Sequence, residues 1–359
     1  MTMATQDLDS LTPPLELDSQ DMLTSIGMLP DQMKHAWESV SQISLPEDYR
    51  NVDRLVVFGM GGSALGTDIL QHLYAKQLKV PVTIVNDYHV PGFVDERTLV
   101  LLSSYSGSTE EVVTAGKEVM GRGSKVLVIA TGKDLASLAE EHSLPIYHID
   151  PTYNPCGQPR IAVGYSVVGQ LAFFSRLGLI PLTEQELTDT IAFLRDLIPT
   201  YGPETPESDN SAKQLARTLS TKVPVLSSSE HLQGIAHVMR NQLNENGKHM
   251  SALLPVPEMN HHAMEGLAHP GSVKDLHFLL FPSSLYFERT QKRYEVIELI
   301  LEKQGISFDR VDVPGATPLQ QAFALLLIGG YVGFYLAMLN GIDPSPIPWV
   351  DLFKSELGK

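Results

Sequence analysis

The sequence has a single cysteine, Cys156, so it can form neither an intrachain disulfide nor a zinc site of four cysteines. It also lacks any cluster of lysines and arginines, and its formal net charge is -16. Proteins that bind nucleic acid need clustered positive charge, so this composition argues against a nucleic-acid partner. An acidic chain that binds an anion must hold it locally, through backbone amides, hydroxyls and a few cations.

The first residues lack the positive segment and the apolar run of a signal peptide, so we expect a cytoplasmic protein. Long hydrophobic runs are scarce, with one exception at residues 322–339. This run is uncharged over almost the length that can span a bilayer, but no lysine or arginine flanks it and it contains glycines. We predict a helix buried on all sides, against both domains or a second subunit, and no membrane partner.

One apolar run ends in a group of glycines. Residues 55–58 are typical of a strand buried on both faces, Gly59, Gly61 and Gly62 follow, and a helical pattern begins near Ser63. Glycines allow a sharp turn and a close approach of the backbone, and a helix N-terminus favours an anion. Because the spacing fits neither a nucleotide P-loop nor the dinucleotide fingerprint, this turn alone is equally consistent with tight packing and with phosphate binding.

A second buried-strand pattern, at residues 99–103, leads into a turn rich in hydroxyl groups, residues 104–109. Ser108 and Glu111 are expected to form a capping box at the start of the next helix. Such a cap leaves Ser104, Ser106 and Thr109 as uncharged donors to the oxygens of a phosphoryl group. Only about one strand unit separates the two turns, so they could converge at the carboxyl edge of one parallel sheet.

The two turns resemble a known signature. Gly61-Gly62-Ser63 with Ser104-Tyr105-Ser106-Gly107-Ser108-Thr109-Glu110 is similar to the sugar-phosphate-binding signature of the sugar isomerase (SIS) domain. With the motifs described below, nearly the full chain resembles the bifunctional phosphoglucose/phosphomannose isomerase family. The resemblance implies two SIS domains, each a parallel doubly wound αβα sandwich, with helical N-terminal and C-terminal extensions. It also implies that the substrate phosphate binds to Gly62, Ser63, Ser104, Ser106 and Thr109.

Hydrophobic patterning separately favours an α/β protein, because strand and helix patterns alternate along the chain. A stretch rich in proline and acidic residues, 201–210, is typical of a linker. We predict an N-terminal arm with helices (1–50), a first SIS domain (51–200) and a second SIS domain with a C-terminal catalytic segment (211–359). Strands are predicted at residues 55–58, 82–85, 99–103, 126–130, 146–149, 223–226, 252–256, 277–281 and 308–311.

Two candidate residues lie at the ends of predicted helices. Glu245 stands among amide residues near a helix C-terminus, where the dipole would raise its pKa and suit a base that must return its proton. A glutamate there is more often a solvated or capping residue, but the resemblance implies that Glu245 is the catalytic base. Arg160 opens a predicted helix, which is unfavourable unless an anion compensates it. The resemblance places Arg160 at the substrate, where it could stabilise an enediolate oxygen.

Two more candidates come from the resemblance. Adjacent histidines and nearby glutamates in residues 258–266 suggest a metal at first sight, but their spacing offers no set of ligands on one face, so we predict no metal site. The resemblance implies that His261 assists in opening the sugar ring. It identifies Lys354, which would otherwise be a solvated tail residue, as a catalytic lysine that reaches a cleft between domains or subunits. Arg289 and Arg293 are predicted to be surface or intersubunit ion-pairing residues.

Together the motifs and the resemblance predict an aldose–ketose isomerase. Glucose 6-phosphate, mannose 6-phosphate or both would be interconverted with fructose 6-phosphate through a cis-enediol, in which the stereocentre at C2 is lost. We expect no cofactor, and a homodimer with shared active sites, as in the family. Three alternatives remain open: isomerisation of a different sugar phosphate or amino-sugar phosphate, sugar-phosphate binding without catalysis, and a structural or assembly role. The last gives no reason for Glu245, His261 and Lys354 to occur together.

Overall fold

Two parallel β-sheets form in the part of the chain that the computed structural model describes, residues 7–13 and 15–358. The strands are β1 (Arg54–Phe58), β2 (Val82–Val85), β3 (Thr98–Ser103), β4 (Lys125–Ala130), β5 (Ile146–His148), β6 (Val223–Ser227), β7 (Ala252–Leu253), β8 (Leu276–Leu280) and β9 (Ser307–Arg310). Their order is β2-β1-β3-β4-β5 in the first sheet and β7-β6-β8-β9 in the second. All neighbouring strands are parallel.

The helices of the described residues connect and cover these strands. They are α1 (Met22–Gly27), α2 (Leu29–Ser41), α3 (Gly62–Leu73), α4 (Glu110–Met120), α5 (Lys133–Glu141), α6 (Val163–Arg176), α7 (Glu184–Tyr201), α8 (Ser211–Leu219), α9 (Gln233–Glu245), α10 (Ala263–Gly266), α11 (Glu288–Gln304), α12 (Pro318–Leu339) and α13 (Pro348–Leu357). Short 3-10 helices lie at Leu8–Ser10, Glu47–Arg50, Glu230–Leu232, Glu258–His261 and Gly271–Asp275.

The first sheet is buried on both faces, as the unbroken apolar strands predicted. Alternate residues of β1 point in opposite directions, so Val57 packs in the cluster that contains α3 and α6, while Val56 packs in the cluster that contains α4 and α5. In the second sheet, α9 and α11 pack against the strands. The predicted doubly wound α/β architecture is confirmed.

Strand predictions agree with the structure within one residue at each end, except for the seventh strand. That strand was predicted over residues 252–256 but is only Ala252–Leu253. The backbone N–H of Leu254 still donates to Leu226 at 2.9 Å, and that of Val256 donates to Ser228 at 2.9 Å. The residues between and after them are prolines, which have no N–H to continue a ladder.

The long apolar helix α12 is a core element. By length and composition it is the one helix of the described residues that could cross a membrane, but 94% of its most apolar window is buried inside the protein. It packs against α1 and α7 from the first half of the chain and against α8 and α9 from the second half. The prediction of a helix buried between both halves is confirmed.

Part of the predicted N-terminal arm packs against the second half. Leu8 is fully buried, and Asp9 Oδ1 lies 2.9 Å from Nζ of the buried Lys213. Residues 1–6 and 14 of the arm lie outside the described residues. The helices that follow the arm, α1 and α2, form the helical N-terminal extension, and α2 packs along α6.

Candidate active site

The two turns singled out in the sequence lie side by side at the carboxyl edge of the first sheet. One follows β1 and the other follows β3, and these neighbouring strands stand where the strand order reverses, the usual ligand position in such sheets. The backbone N–H of Tyr105 donates to Ser63 Oγ at 3.0 Å. This bond joins the two turns, so Gly62, Ser63 and Ser104 occupy one corner of the molecule.

The first turn ends at the N-terminus of α3. Its N-cap residue, Gly61, has a φ of +49°, a left-handed conformation that glycine adopts without strain. Gly62 and Ser63 are the first two residues of the helix. Since α3 runs for three turns from this point, its positive dipole end favours an anion beside Gly62 and Ser63.

Hydroxyl groups of the second turn bond to one another. Ser104 Oγ lies 2.6 Å from Thr109 Oγ1 and also accepts a hydrogen bond from the backbone N–H of Gly107 at 3.1 Å. One hydroxyl of the Ser104–Thr109 pair uses its proton on the other, so the pair keeps one proton for an anion. This differs from the prediction that Ser104, Ser106 and Thr109 are all free donors.

The predicted capping box of Ser108 and Glu111 is wrong. Helix α4 begins at Glu110 with Thr109 as its N-cap residue, and no side chain bonds to the first N–H groups. Ser108 instead donates its hydroxyl to Ser106 Oγ at 3.3 Å, and its backbone N–H donates to the same atom at 3.3 Å. The hydroxyls of this turn therefore stabilise the turn itself rather than the helix that follows.

Two polar side chains of α6 hydrogen-bond to residues at the start of α3, and the sequence analysis did not identify them. Gln170, which is fully buried, donates from Nε2 to the Ser63 carbonyl at 2.8 Å and accepts from Thr67 Oγ1 at 2.7 Å. Ser166 Oγ donates to the Gly62 carbonyl at 3.3 Å. Two buried polar residues in an otherwise apolar helix were the available signal, because a buried polar group needs a partner.

Arg160 lies in the turn before α6 and is only 8% exposed. Its Nε donates to Asn246 Oδ1 at 2.7 Å, and its Nη2 donates to the carbonyl oxygens of Ser345 at 2.6 Å and Pro344 at 3.0 Å. Burial lowers the pKa of Arg160, and the charge of Glu245 opposes this effect. Its guanidinium is thus buried among neutral acceptors, with a carboxylate nearby.

The residue before Arg160 lies next to the first turn. A Cβ atom added to Gly62 would lie 3.8 Å from the carbonyl oxygen of Pro159. The backbone at Pro159, next to Arg160, and the start of α3 are therefore neighbours.

Glu245 is the last residue of α9 and is half-buried. Burial raises the pKa of its carboxyl, and the charges of Arg160, Lys248 and Lys354 act in the opposite direction. The sequence analysis expected a raised pKa from the helix dipole; burial is the main cause in the structure. Within the described residues the carboxylate accepts no hydrogen bond, so its oxygens are available to another molecule.

Lys248 is a site residue that the sequence analysis missed. Its Nζ donates to the backbone carbonyl of Glu245 at 2.6 Å and to that of Pro344 at 2.9 Å. Burial, followed by the neighbouring charge of Arg160, lowers the pKa of Lys248 to about 8. Lys248 has a φ of +50°, which is unusual for a residue with a side chain. Its side chain lies against the end of α9, where it contacts the Glu245 carbonyl.

Lys354 lies on α13, the C-terminal helix, and is exposed. Its charge lies close enough to lower the pKa of Glu245, so the structure places both residues in the same region. Three large apolar residues of α13, spaced four apart, are also exposed: Trp349 (80%), Phe353 (65%) and Leu357 (59%). They form one apolar stripe along the helix.

His261 stands apart from this group. It ends the 3-10 helix Glu258–His261, is exposed, and makes no hydrogen bond with any residue that the structure describes. Its neighbour Asn260 accepts a hydrogen bond from Arg293 Nη1 at 3.1 Å. Arg293 thus contacts the loop of His261 through an amide, and its predicted intersubunit ion pair stays a prediction.

The other polar residues of this loop pair with each other. His262 Nε2 lies 2.6 Å from Glu258 Oε2, and both side chains are exposed. No group of three or more histidine, cysteine, aspartate and glutamate side chains suited to a metal ion occurs in residues 7–13 and 15–358.

Taken together, these contacts join the corner at the N-terminus of α3 to a guanidinium, Arg160, and a carboxylate, Glu245. The anion would lie at the N-terminus of α3, and Arg160 connects this corner to the end of α9, where Glu245 has an unbonded carboxylate and a raised pKa. A half-buried carboxylate of raised pKa can take up a proton from a bound molecule. A guanidinium beside it can stabilise the negative charge that then develops on that molecule.

Two family matches cover the two halves of the chain. Residues 48–174 match the family described as "SIS domain", and residues 208–357 match "Bacterial phospho-glucose isomerase C-terminal SIS domain". Each match contains one of the two parallel sheets.

Curated relatives match over nearly the full length. The chain is 32% identical over 341 residues to the bifunctional phosphoglucose/phosphomannose isomerase of Caldicellulosiruptor bescii, which covers 94% of this chain and 99% of that protein. It is 30% identical over 308 residues to the protein of the same name from Thermoplasma volcanium, covering 85% of this chain and 91% of that protein.

A solved structure confirms the fold. The crystal structure of a hypothetical protein of Thermus thermophilus superposes with a TM-score of 0.71 at 19% identity, over 94% of this chain and 90% of that one. At this identity the likeness concerns the fold alone.

Proposed function

This chain belongs to the bifunctional phosphoglucose/phosphomannose isomerase family and is an aldose–ketose isomerase, and we propose that the corner described above is its active site. Its substrates are glucose 6-phosphate, mannose 6-phosphate or both, which it interconverts with fructose 6-phosphate. In the proposal, the 6-phosphate binds at Gly62, Ser63, Ser104, Ser106 and Thr109. The helix dipole of α3 and the hydroxyl protons of the second turn support this assignment.

Glu245 is proposed to move the proton. From the open-chain aldose it takes the C2 hydrogen as a proton, the electron pair of that bond forms the C1–C2 double bond, and the negative charge passes to the C1 oxygen. The proton of the C2 hydroxyl then moves to the C1 oxygen, Glu245 returns its own proton to C1, and the C2 oxygen becomes the oxygen of the ketone. Because C2 is planar in the enediol, both C2 epimers of the aldose lead to the same ketose.

Arg160 is proposed to stabilise the enediolate oxygen as charge develops there. Its guanidinium is buried and bonded to neutral carbonyl and amide oxygens, so its charge is held in place before the reaction. The single observation that carries the proposal is the carboxylate of Glu245, which is half-buried, accepts no hydrogen bond from the described residues, has a raised pKa and lies near three cations.

We propose a homodimer in which active sites are shared. His261 and Lys354 would assist ring opening, yet the His261 side chain is exposed and makes no hydrogen bond with the described residues of its own chain. The apolar stripe of α13 is also exposed, as expected of a surface that a second copy covers. A dimer that places His261 of one subunit at the Glu245 corner of its partner would account for both observations.

Two further proposals concern the setting of the enzyme. The division into an arm with helices (1–50) and SIS domains at 51–200 and 211–359 is supported by the two family matches and the two sheets. A cytoplasmic location is supported by the single, buried cysteine, which requires no oxidising compartment.

The assignment is tested by separate assays of fructose 6-phosphate formation from each aldose, with wild type and Glu245→Gln. We expect turnover of both substrates by wild type and a fall of about 100-fold or more in the variant. In D2O the wild-type product should carry solvent deuterium at C1, because the base exchanges its proton with water while the enediol exists. Unchanged turnover in the variant would remove Glu245 from the role of base.

A further inference from the structure

An acidic residue of α3 bonds across to a histidine of α9. His237 Nδ1 donates to Asp68 Oδ2 at 2.7 Å. The Asp68 side chain is 16% exposed. Burial alone would raise the pKa of Asp68, but the hydrogen bonds from His237 and His72 outweigh this and lower it. The pair is a charge-assisted contact between the helix that begins at Gly62 and the helix that ends at Glu245.

The two helices also touch backbone to backbone at this point. A Cβ atom on Gly234 of α9 would lie only 2.5 Å from the carbonyl oxygen of Asp68 and 2.7 Å from Cα of Ile69. The absence of a side chain at Gly234 therefore lets α3 and α9 approach closely, and the Asp68–His237 bond fixes how the helices are aligned along their length.

We propose that Asp68 and His237 are positioning residues whose contact sets the separation between the phosphate site and Glu245, an inference that rests on the proposed function. Asp68 lies about 9 Å along α3 from Gly62, and His237 lies about 12 Å along α9 from Glu245. Helices are stiff over such lengths, so the alignment at this contact is transmitted to both functional ends.

The chemistry explains why this separation matters. The phosphate is anchored on C6, whereas Glu245 must reach the hydrogens of both C2 and C1, at the other end of an open-chain sugar. A misplacement of about 1 Å between anchored substrate and base costs up to about 100-fold in rate. A bond that fixes the two helices therefore affects the rate without touching the substrate.

The groups around the contact supply a matched control. A cavity of about 580 Å³ lies beside it, lined in part by His72, Arg240, Asn241 and Gln71. His72 Nδ1 lies 3.3 Å from Asp68 Oδ1 and 2.7 Å from its carbonyl oxygen, but His72 and Asp68 belong to the same helix. Removing His72 takes an imidazole from Asp68 and leaves the link between the helices intact.

The test compares His237→Leu with the control His72→Leu, and with His237→Asn, whose amide can donate from near the position of Nδ1. We measure kcat and KM for both aldoses, the inhibition constant of inorganic phosphate, and Tm. In His237→Leu we expect kcat to fall about tenfold with the phosphate inhibition constant unchanged, because the phosphate turns keep their own contacts. His72→Leu should stay within about twofold of wild type, and His237→Asn should recover most of kcat.

Either of two results for kcat would overturn the inference. A normal kcat in His237→Leu, or equal losses of kcat in His237→Leu and His72→Leu, would mean that the contact does not position Glu245. If His237→Leu does not fold, Gly234→Ala pushes the same helices apart without removing a charge and must lower kcat in the same way. An inactive wild type, or an active Glu245→Gln, would instead contradict the proposed function.

Discussion

Arg160 and Lys248 donate to the same carbonyl oxygen, that of Pro344, at 3.0 and 2.9 Å. Two cations are thereby fixed on the backbone of the segment that leads into α13, and neither makes an ion pair within the described residues. Their attraction for Glu245 is exerted through space and counteracts the burial of its carboxyl. The C-terminal segment therefore helps to determine the acidity of Glu245, although it is nearly one hundred residues away in the chain.

We expect Glu245→Gln to stabilise the protein while it inactivates it. A carboxyl with a raised pKa in the folded state costs stability above its unfolded pKa, and this cost disappears as the pH falls. The variant should melt about 1–3 °C higher than wild type near pH 7, with a smaller difference near pH 4. Glu140→Gln, an exposed change on α5, is the control. A lower Tm for Glu245→Gln at pH 7 would contradict the prediction.

Lys248→Met should shift the acid limb of the pH profile upward. Glu245 must be ionised to accept a proton, so activity falls as the pH drops through its pKa. Lys248 lowers that pKa, and its removal raises it. The measurement is kcat/KM against pH, with Lys292→Met, an exposed lysine of α11, as control. An acid limb that does not move, or that moves down, would show that Lys248 does not stabilise the carboxylate.

Gln170→Met should weaken phosphate binding and lower stability together. The change removes the hydrogen bonds that Gln170 makes to the Ser63 carbonyl and the Thr67 hydroxyl. Both groups stay buried without those partners. We expect a loss of about 1–3 kcal/mol in the free energy of unfolding and a rise in KM for both aldoses. Gln77→Met, at an exposed residue away from both turns, should change neither. An unchanged KM would limit Gln170 to a structural role.

Gly107→Ala should disrupt the second turn, residues 104–109. Gly107 has a φ of +72°, and a Cβ atom there would lie 1.9 Å from the carbonyl oxygen of Gly132. The free energy of unfolding should fall by about 3 kcal/mol or more from strain and overlap combined. Gly157→Ala separates the two effects, since Gly157 has a φ of +65° with no neighbour within 4 Å, and should cost only about 1 kcal/mol. Equal losses would mean that the overlap is relieved by a backbone shift.

Shared active sites predict that two inactive variants rescue each other. A heterodimer of Glu245→Gln and His261→Ala contains one site with neither substitution if each site takes these residues from different chains. Random exchange of subunits should therefore restore about a quarter of wild-type activity. No recovery, with subunit exchange verified by mass, would place Glu245 and His261 of a single chain in one site.

Much of this architecture could be predicted from local signals. Buried parallel strands such as β3 are continuous apolar runs, which predict the sheet. The turns after β1 and β3 contain glycines and hydroxyl residues directly after the strands, which predicts the candidate functional edge of that sheet. The resemblance added Glu245 and Arg160, which no local pattern distinguishes from a solvated glutamate or an ordinary helix start.

Other parts depend on contacts between distant segments, which a local pattern does not contain. Lys248 and Gln170 act through partners far away in the chain, at Pro344 and Ser63. The predicted capping box does not form because the Ser108 hydroxyl donates to Ser106 Oγ instead. The seventh strand is shorter than its apolar pattern predicts because Pro255 and Pro257 have no N–H group to continue the ladder.

Helix α12 has a consequence for how the molecule folds. Because it supplies apolar surface to α7 on one side and to α8 and α9 on the other, neither half retains a complete core without it. The two halves should consequently denature in one cooperative transition, and a chain cut within residues 201–210 should yield two fragments that are stable only when they reassociate.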